Sequence, residues 1–424
     1  MMNQREKGDG VIGLALAALI VLIYGVPVLF GWFGFYGDDW IYIYNQRLAG
    51  AKSFVEFVRW DRPFSAWVYV LSGAAFGTSP ILYHVLILAQ RVFAAILFFA
   101  TFRILFPKRR LAVAAASFLF ALYPGFKQQP IAVQFILHFA SMDLCLLSMW
   151  WMVRVAAGRV KGPRAAVGTV FMALLAALGL FSCEYFTGWE LLRPALIWVA
   201  LSGHGSENLS SMRRLTAMIR AWSPYLLGTA GFLIWRVFIF SFQTYQPKLL
   251  NELSDSPAQG LATMTRRVLS DLNVVTIETF RNTFKQPSGL GRRLIFGGVI
   301  LVSFAVLTIV FRSIPSSVSD TADDSQGERR DLGWLVVLGF LALLTAGVPF
   351  WATLLPIETS FPWDRSTLPF GFGVALLSAG LVGAFFRRGA APFVFAFLVA
   401  LSAGSHTVNA MIYHDETAKL NDYF

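Results

Sequence analysis

The chain has 424 residues, 56% of them hydrophobic and only 14% charged, with a mean hydropathy of +0.61. That leaves too little polar surface to cover a water-soluble globule, and the composition excludes one. A formal charge of +11 would suggest nucleic acid in a soluble protein, but here Lys and Arg fall in short loops between apolar runs, as orientation in a membrane requires, and no nucleic-acid partner is read.

The apolar runs are about 20 residues long and do not alternate with the two-residue period of a porin-like barrel. Together with 40 Phe and 13 Trp, this predicts an all-α, polytopic membrane protein with aromatic belts. The first run, 11–30, is followed by Gly-Trp-Phe-Gly-Phe rather than a small-residue cleavage site and reads as a retained span. With Arg5 and Lys7 cytoplasmic, it leads outward to a long external loop, 31–78. Span 79–106 returns to Pro107-Lys108-Arg109-Arg110, a strong inside signal. Spans 111–123 and 134–155 follow, then Arg159, Lys161 and Arg164 inside. Spans 165–181 and 185–201 lead to Arg213, Arg214 and Arg220, again inside.

Span 221–242 goes out to a second long external segment, 243–292, the fourth external loop. Its charges interleave with apolar positions as in a helix lying on a membrane surface. Span 294–311 returns to 313–331, a Ser/Asp/Gly-rich run read as a flexible cytoplasmic linker. Spans 332–353, 369–386 and 392–413 complete about eleven crossings in one domain, 1–424, with the N-terminus cytoplasmic and the C-terminus outside. The stretch 406–424 reads as the start of an external amphipathic helix that continues beyond Phe424.

Cys145 and Cys183 lie in or beside apolar runs and read as packing residues. Arg91 falls deep in its span and needs a partner, for which Asp143 is the candidate by depth. His84 and His138 sit near external span ends without metal-ligand spacing and read as hydrogen-bonded histidines. No phosphate-binding glycine loop, HExxH or nucleophile elbow is present.

The candidate chemistry lies in loop 31–78. Asp38 and Asp39 are paired acids at a membrane–water boundary, where a carboxylate can shift its pKa and still meet a polar substrate; the bland alternative is a helix cap beside an interfacial Trp. Arg62-Pro63, followed by an aromatic apolar stretch, reads as an external half-helix whose guanidinium can clamp a phosphate at headgroup depth or snorkel to ordinary lipid. Arg236 and Arg365, both near the external boundary, are further phosphate contacts.

The order of several features resembles the GT-C glycosyltransferases, including protein O-mannosyltransferase-like and aminoarabinose transferase-like members. These are Asp38-Asp39 after the first span, Asp61-Arg62-Pro63-Phe64, Phe76 to Val85 entering the second span, Leu122-Tyr123-Pro124, Ser182-Cys183-Glu184, and Trp363 to Pro369 opening a late span. The resemblance implies a GT-C fold in a bacterial inner membrane, with an outward-facing active site that moves one sugar from a polyprenyl-phosphate donor to a protein, glycan or lipid acceptor. It implies Asp38 as general base with Asp39 its acidic neighbour, the register between them open, and Arg62 on the donor phosphate. Asp61 and Glu184 join the substrate site, with Cys183 standing where the family often has Lys. No cofactor is implied outright, a divalent ion being an option. The rival readings are a transporter or lipid flippase, and a GT-C-fold scaffold without catalysis.

Overall fold

The computed structural model describes residues 4–203, 210–240, 256–285, 287–314 and 322–423, and all regular structure among them is helical. Seven helices are long and apolar enough to cross a membrane. They are α1 (Gly8–Leu29), α4 (Pro80–Leu105), α6 (Ala132–Ala156), α7 (Gly162–Ser182), α11 (Leu290–Ser313), the stretch Gln326–Thr353 of α12 (Ala322–Thr353) and the stretch Ala391–Lys419 of α14 (Ala391–Tyr423). The chain is a multi-pass, membrane-embedded helical protein. The other helices are α2 (Asp39–Ala49), α3 (Ala66–Phe76), α5 (Arg110–Ala121), α8 (Arg193–Gly203), α9 (Ser211–Ile234), α10 (Pro257–Asn273) and α13 (Phe370–Phe385).

Pro at the first turn opens α4, α7 and α10, where its missing N–H is no loss. The pairs α12–α13, α11–α14, α4–α6 and α6–α7 pack most extensively. Helix α5 has 12 residues, about 18 Å at 1.5 Å per residue, shorter than a bilayer core of about 30 Å. It is buried along nearly its whole length and serves as a central strut.

Ion pairs fix which helix termini share an end. At one end Asp9 pairs with Arg103 at 3.2 Å and with Arg110 at 2.7 Å. There too Arg109 reaches Glu328 at 2.9 Å and Asp331 at 3.3 Å, and Arg388 also meets Glu328. This end gathers the start of α1, the end of α4, the starts of α5 and α12 and the end of α13, the alternation read from loop charges. The opposite end carries Asp39 and all candidate site residues.

Three expectations change. The segment 185–201 is a broken element rather than one continuous helix: a tight turn Glu184–Phe186 and a single helical turn Thr187–Glu190 precede α8. Gly188 permits this, because a Cβ there would collide with the Thr345 carbonyl of α12. Arg213, Arg214 and Arg220 lie within α9, which starts ten residues before the predicted 221. Residues 322–331 of the predicted linker are the first turns of α12, where Glu328 and Asp331 pair with Arg109; 315–321 lies outside the described residues.

Within the 243–292 segment a helix is present, α10 continued through Val274–Glu278 and Thr279–Thr283, and 241–255 lies outside the described residues. It is tied to the bundle, since Trp351 donates to Asp271 at 2.9 Å and Tyr123 to the Val275 carbonyl at 2.7 Å. Residues 406–423 continue α14 without a break. Arg91 does not pair with Asp143. Its Nη1 donates to Tyr24 Oη at 2.9 Å and to the Ala121 carbonyl at 2.6 Å, and its guanidinium lies 4.3 Å from the Tyr24 ring and 5.0 Å from Phe139. The frayed end of α5 supplies the acceptor that depth alone assigned to Asp143. His84 bonds to the Gly34 carbonyl at 3.0 Å, whereas His138 packs 4.7 Å from the Tyr185 ring.

Candidate functional site

The two adjacent acids have unlike environments. Asp38 is exposed at the N-cap position of α2, after Gly37, whose φ of +49° suits glycine. Asp39 is wholly buried and caps a different helix: its Oδ1 accepts the Gln134 N–H at 2.9 Å at the start of α6. Burial pushes the Asp39 carboxyl up to about 8, even though the backbone N–H groups of Gln134, Tyr36, Val133 and Ala132 pull it down. The unfolded chain loses this proton near 3.8 and the fold only near 8. Between those values the folded state holds the extra proton, so Asp39 lowers stability as pH rises and adds no slope above them. We expect the melting temperature to fall from about pH 5 to about pH 8 more steeply in the wild type than in Asp39→Asn, whose amide still caps α6. Equal slopes would contradict this placement.

Arg62 is held by the end of α7. Trp67 donates to Ser182 Oγ at 3.0 Å, and Ser182 Oγ donates to the Phe64 carbonyl at 3.1 Å. These bonds lay the Pro63–Ser65 turn against the extended residue Cys183, and Glu184 follows it. Arg62 Nη2 and Nε then grip the Glu184 carboxylate at 2.6 and 3.0 Å, a two-point pairing, and Nη1 meets Asp61 at 2.9 Å. Burial works against the charge on Arg62, but Glu184 and Asp61 outweigh it and keep the guanidinium firmly protonated. Burial alone would raise Glu184; Arg62 overrides it and holds the carboxyl below its usual range.

Arg236 lies in the field of Glu184, Arg62 and Asp61, and Arg365, stacked 5.1 Å from Trp363, acts on Tyr185 and His138. The structure thus gathers Asp61, Arg62, Glu184, Arg236 and Arg365 around Tyr185. Tyr42, stacked 4.7 Å from Tyr69, feels Asp38 as well as Arg62 and Asp61 and links the acids to this cluster. Tyr42, Tyr69 and Tyr185 were not singled out by sequence reasoning, since aromatic residues are too common here to signal a site.

A cavity of about 280 Å³ opens beside the cluster. Glu184, Tyr185 and Arg236 line one part, and Phe232, Phe238, Val348 and Phe350 give it apolar walls. The arrangement offers a greasy slot whose polar end holds the Arg236 guanidinium and the Glu184 carboxylate. Among the described residues, no three His, Cys, Asp or Glu side chains converge as a metal site would require. Compared with known proteins, the chain matches no family model, no curated protein and no solved structure.

Proposed function

We propose that this protein is a GT-C-type membrane glycosyltransferase that moves a sugar from a polyprenyl-phosphate carrier to a hydroxyl acceptor. The observation that carries the reading is the apolar cavity ending at Glu184 and Arg236 beside Arg62. Such a slot suits a prenyl chain in its apolar part and a phosphate at its charged end. In this reading α5, α8, α9 and α13 join the seven long helices as membrane crossings, eleven in all. The end holding Arg103, Arg109, Arg110 and Arg388 is cytoplasmic by the positive-inside rule, and the Asp39 end faces outward from a bacterial inner membrane.

Asp38, exposed beside Gly37, takes the acceptor hydroxyl proton. The acceptor oxygen forms its bond to the anomeric carbon as the bond to the phosphate oxygen breaks, the electron pair leaves with polyprenyl phosphate, and the configuration inverts. Asp39 stays in its cap and holds α2 against α6. Each of the three nitrogens of Arg62 already donates to a carboxylate, and Asp61, whose side chain is 42% exposed, is the partner a phosphate displaces. Arg236 then makes the first phosphate contact, with Arg62 positioned behind it.

Arg236→Ala should weaken decaprenyl-phosphate binding about tenfold to a hundredfold, the loss of one charge-assisted contact. Titration of purified protein in lipid nanodiscs by native mass spectrometry measures this, and unchanged affinity would refute the assignment. A transporter reading draws on Asp143, whose Oδ1 is buried without a hydrogen-bond partner inside α6, and on the buried Glu190–Arg193 pair. Counterflow of lipid-linked sugar without transfer would favour it.

A further inference from the structure

We propose a second anion site at the Asp39 end: a polar cleft that takes the phosphate of an amphiphilic acceptor, with Lys127 and Lys285 meeting its charge. The word acceptor rests on the transfer reading, whereas the anion site is argued from the cleft itself.

Two cavities of about 360 and 270 Å³ share Lys127, Thr359, Asn409 and Ile412 and so form two lobes of one cleft. Tyr36 and Gly37 line the first lobe, which places it next to Asp38. Lys285 lines the second lobe with Lys127, and no carboxylate faces it there. The lobe is rigidly built: Asn409 Nδ2 donates to the Lys127 carbonyl at 2.7 Å, and Asn282 Nδ2 to Thr359 Oγ1 at 2.7 Å.

Asp364 and Glu416 line the first lobe, and neither forms an ion pair with either lysine at contact range. Asp364 accepts the Lys127 backbone N–H at 3.0 Å on one oxygen and the Gln128 amide on the other. Among the described residues, no ion pair joins either lysine to a carboxylate. Burial works against the charge on Lys127 and prevails; Asp364 favours the charge by more than Lys285 opposes it, without making up for burial. Two cations facing one polar lobe suit a ligand of charge near −2, as a phosphate monoester carries. Phe296, Val408 and Ile412 supply an apolar wall from α11 and α14, so the matching ligand has an apolar chain as well.

The test uses full-length protein in nanodiscs of uncharged lipid and three probes: lysophosphatidate, the monoacylglycerol of the same chain, and inorganic phosphate. Wild type should bind lysophosphatidate at least about tenfold more tightly than the Lys127→Gln/Lys285→Gln double variant, and monoacylglycerol should not distinguish them. Competition by inorganic phosphate would assign recognition to the phosphate itself and its absence to the lipid headgroup; both keep the site. Equal melting temperatures of the two proteins in the nanodiscs report that the variant is folded. Equal lysophosphatidate affinity in the two proteins overturns the proposal. If wild type fails to bind decaprenyl phosphate yet still separates lysophosphatidate from monoacylglycerol through the lysines, the transfer reading fails while the anion site stands.

Discussion

Replacing Asp38 with Asn should cut turnover by roughly 10² to 10⁴, the usual contribution of a positioned general base, while donor binding and melting temperature stay near wild type. Asp38 is the exposed member of the acidic pair, its neighbour Gly37 lines the polar cleft, and no side-chain cap bond ties it into α2. Asn keeps its size and removes only the proton acceptor. Transfer is measured on purified protein with a polyprenyl-phosphate sugar, beside Asp39→Asn. If Asp39→Asn abolishes transfer while Asp38→Asn retains it, the base is the buried residue and the assignment is wrong by one position.

The second large effect concerns folding. Arg193→Met should destabilise the protein by about 3–5 kcal/mol, because it leaves a buried carboxylate without its cation. Arg193 Nε and Nη2 meet Glu190 at 2.5 and 2.6 Å, Nη2 also meets Ser148 Oγ at 2.6 Å, and the guanidinium lies 4.4 Å from the Tyr225 ring. Both charged residues are essentially unexposed, among α6, α8 and α9. Adding Glu190→Met should recover much of the loss, since a buried ion pair replaced whole by apolar groups is often near neutral. Thermal unfolding in detergent compares the three proteins; a double variant no more stable than the single one would show that the residues act separately.

Part of the helix order was legible because loop arginines mark one end, and the ion pairs of Arg103, Arg109, Arg110 and Arg388 gather termini of α1, α4, α5, α12 and α13 there. What periodicity does not carry is the direction a residue faces around its helix. Depth suggested Asp143 for Arg91, yet the guanidinium turns to Tyr24 and the end of α5. Asp61, Arg62 and Glu184 were each readable as site residues, but not that the two acids would occupy the guanidinium, because Arg62 and Glu184 lie far apart in sequence and are brought together by the Trp67–Ser182 and Ser182–Phe64 bonds. The break between Glu184 and Arg193 was hidden by an apolar run whose close approach to α12 depends on Gly188. Asp39 was read as an acid for chemistry or a cap for its own helix, whereas it caps α6, 95 residues away in sequence. Lys127 and Lys285 come together only in the fold.

The most direct measurement is a cryo-EM map of the protein with decaprenyl phosphate in nanodiscs. The account predicts phosphate density within about 3 Å of the Arg236 guanidinium, and the prenyl chain between Phe232 and Phe350. Phosphate density elsewhere, with this cavity empty or filled by bulk lipid, would contradict it.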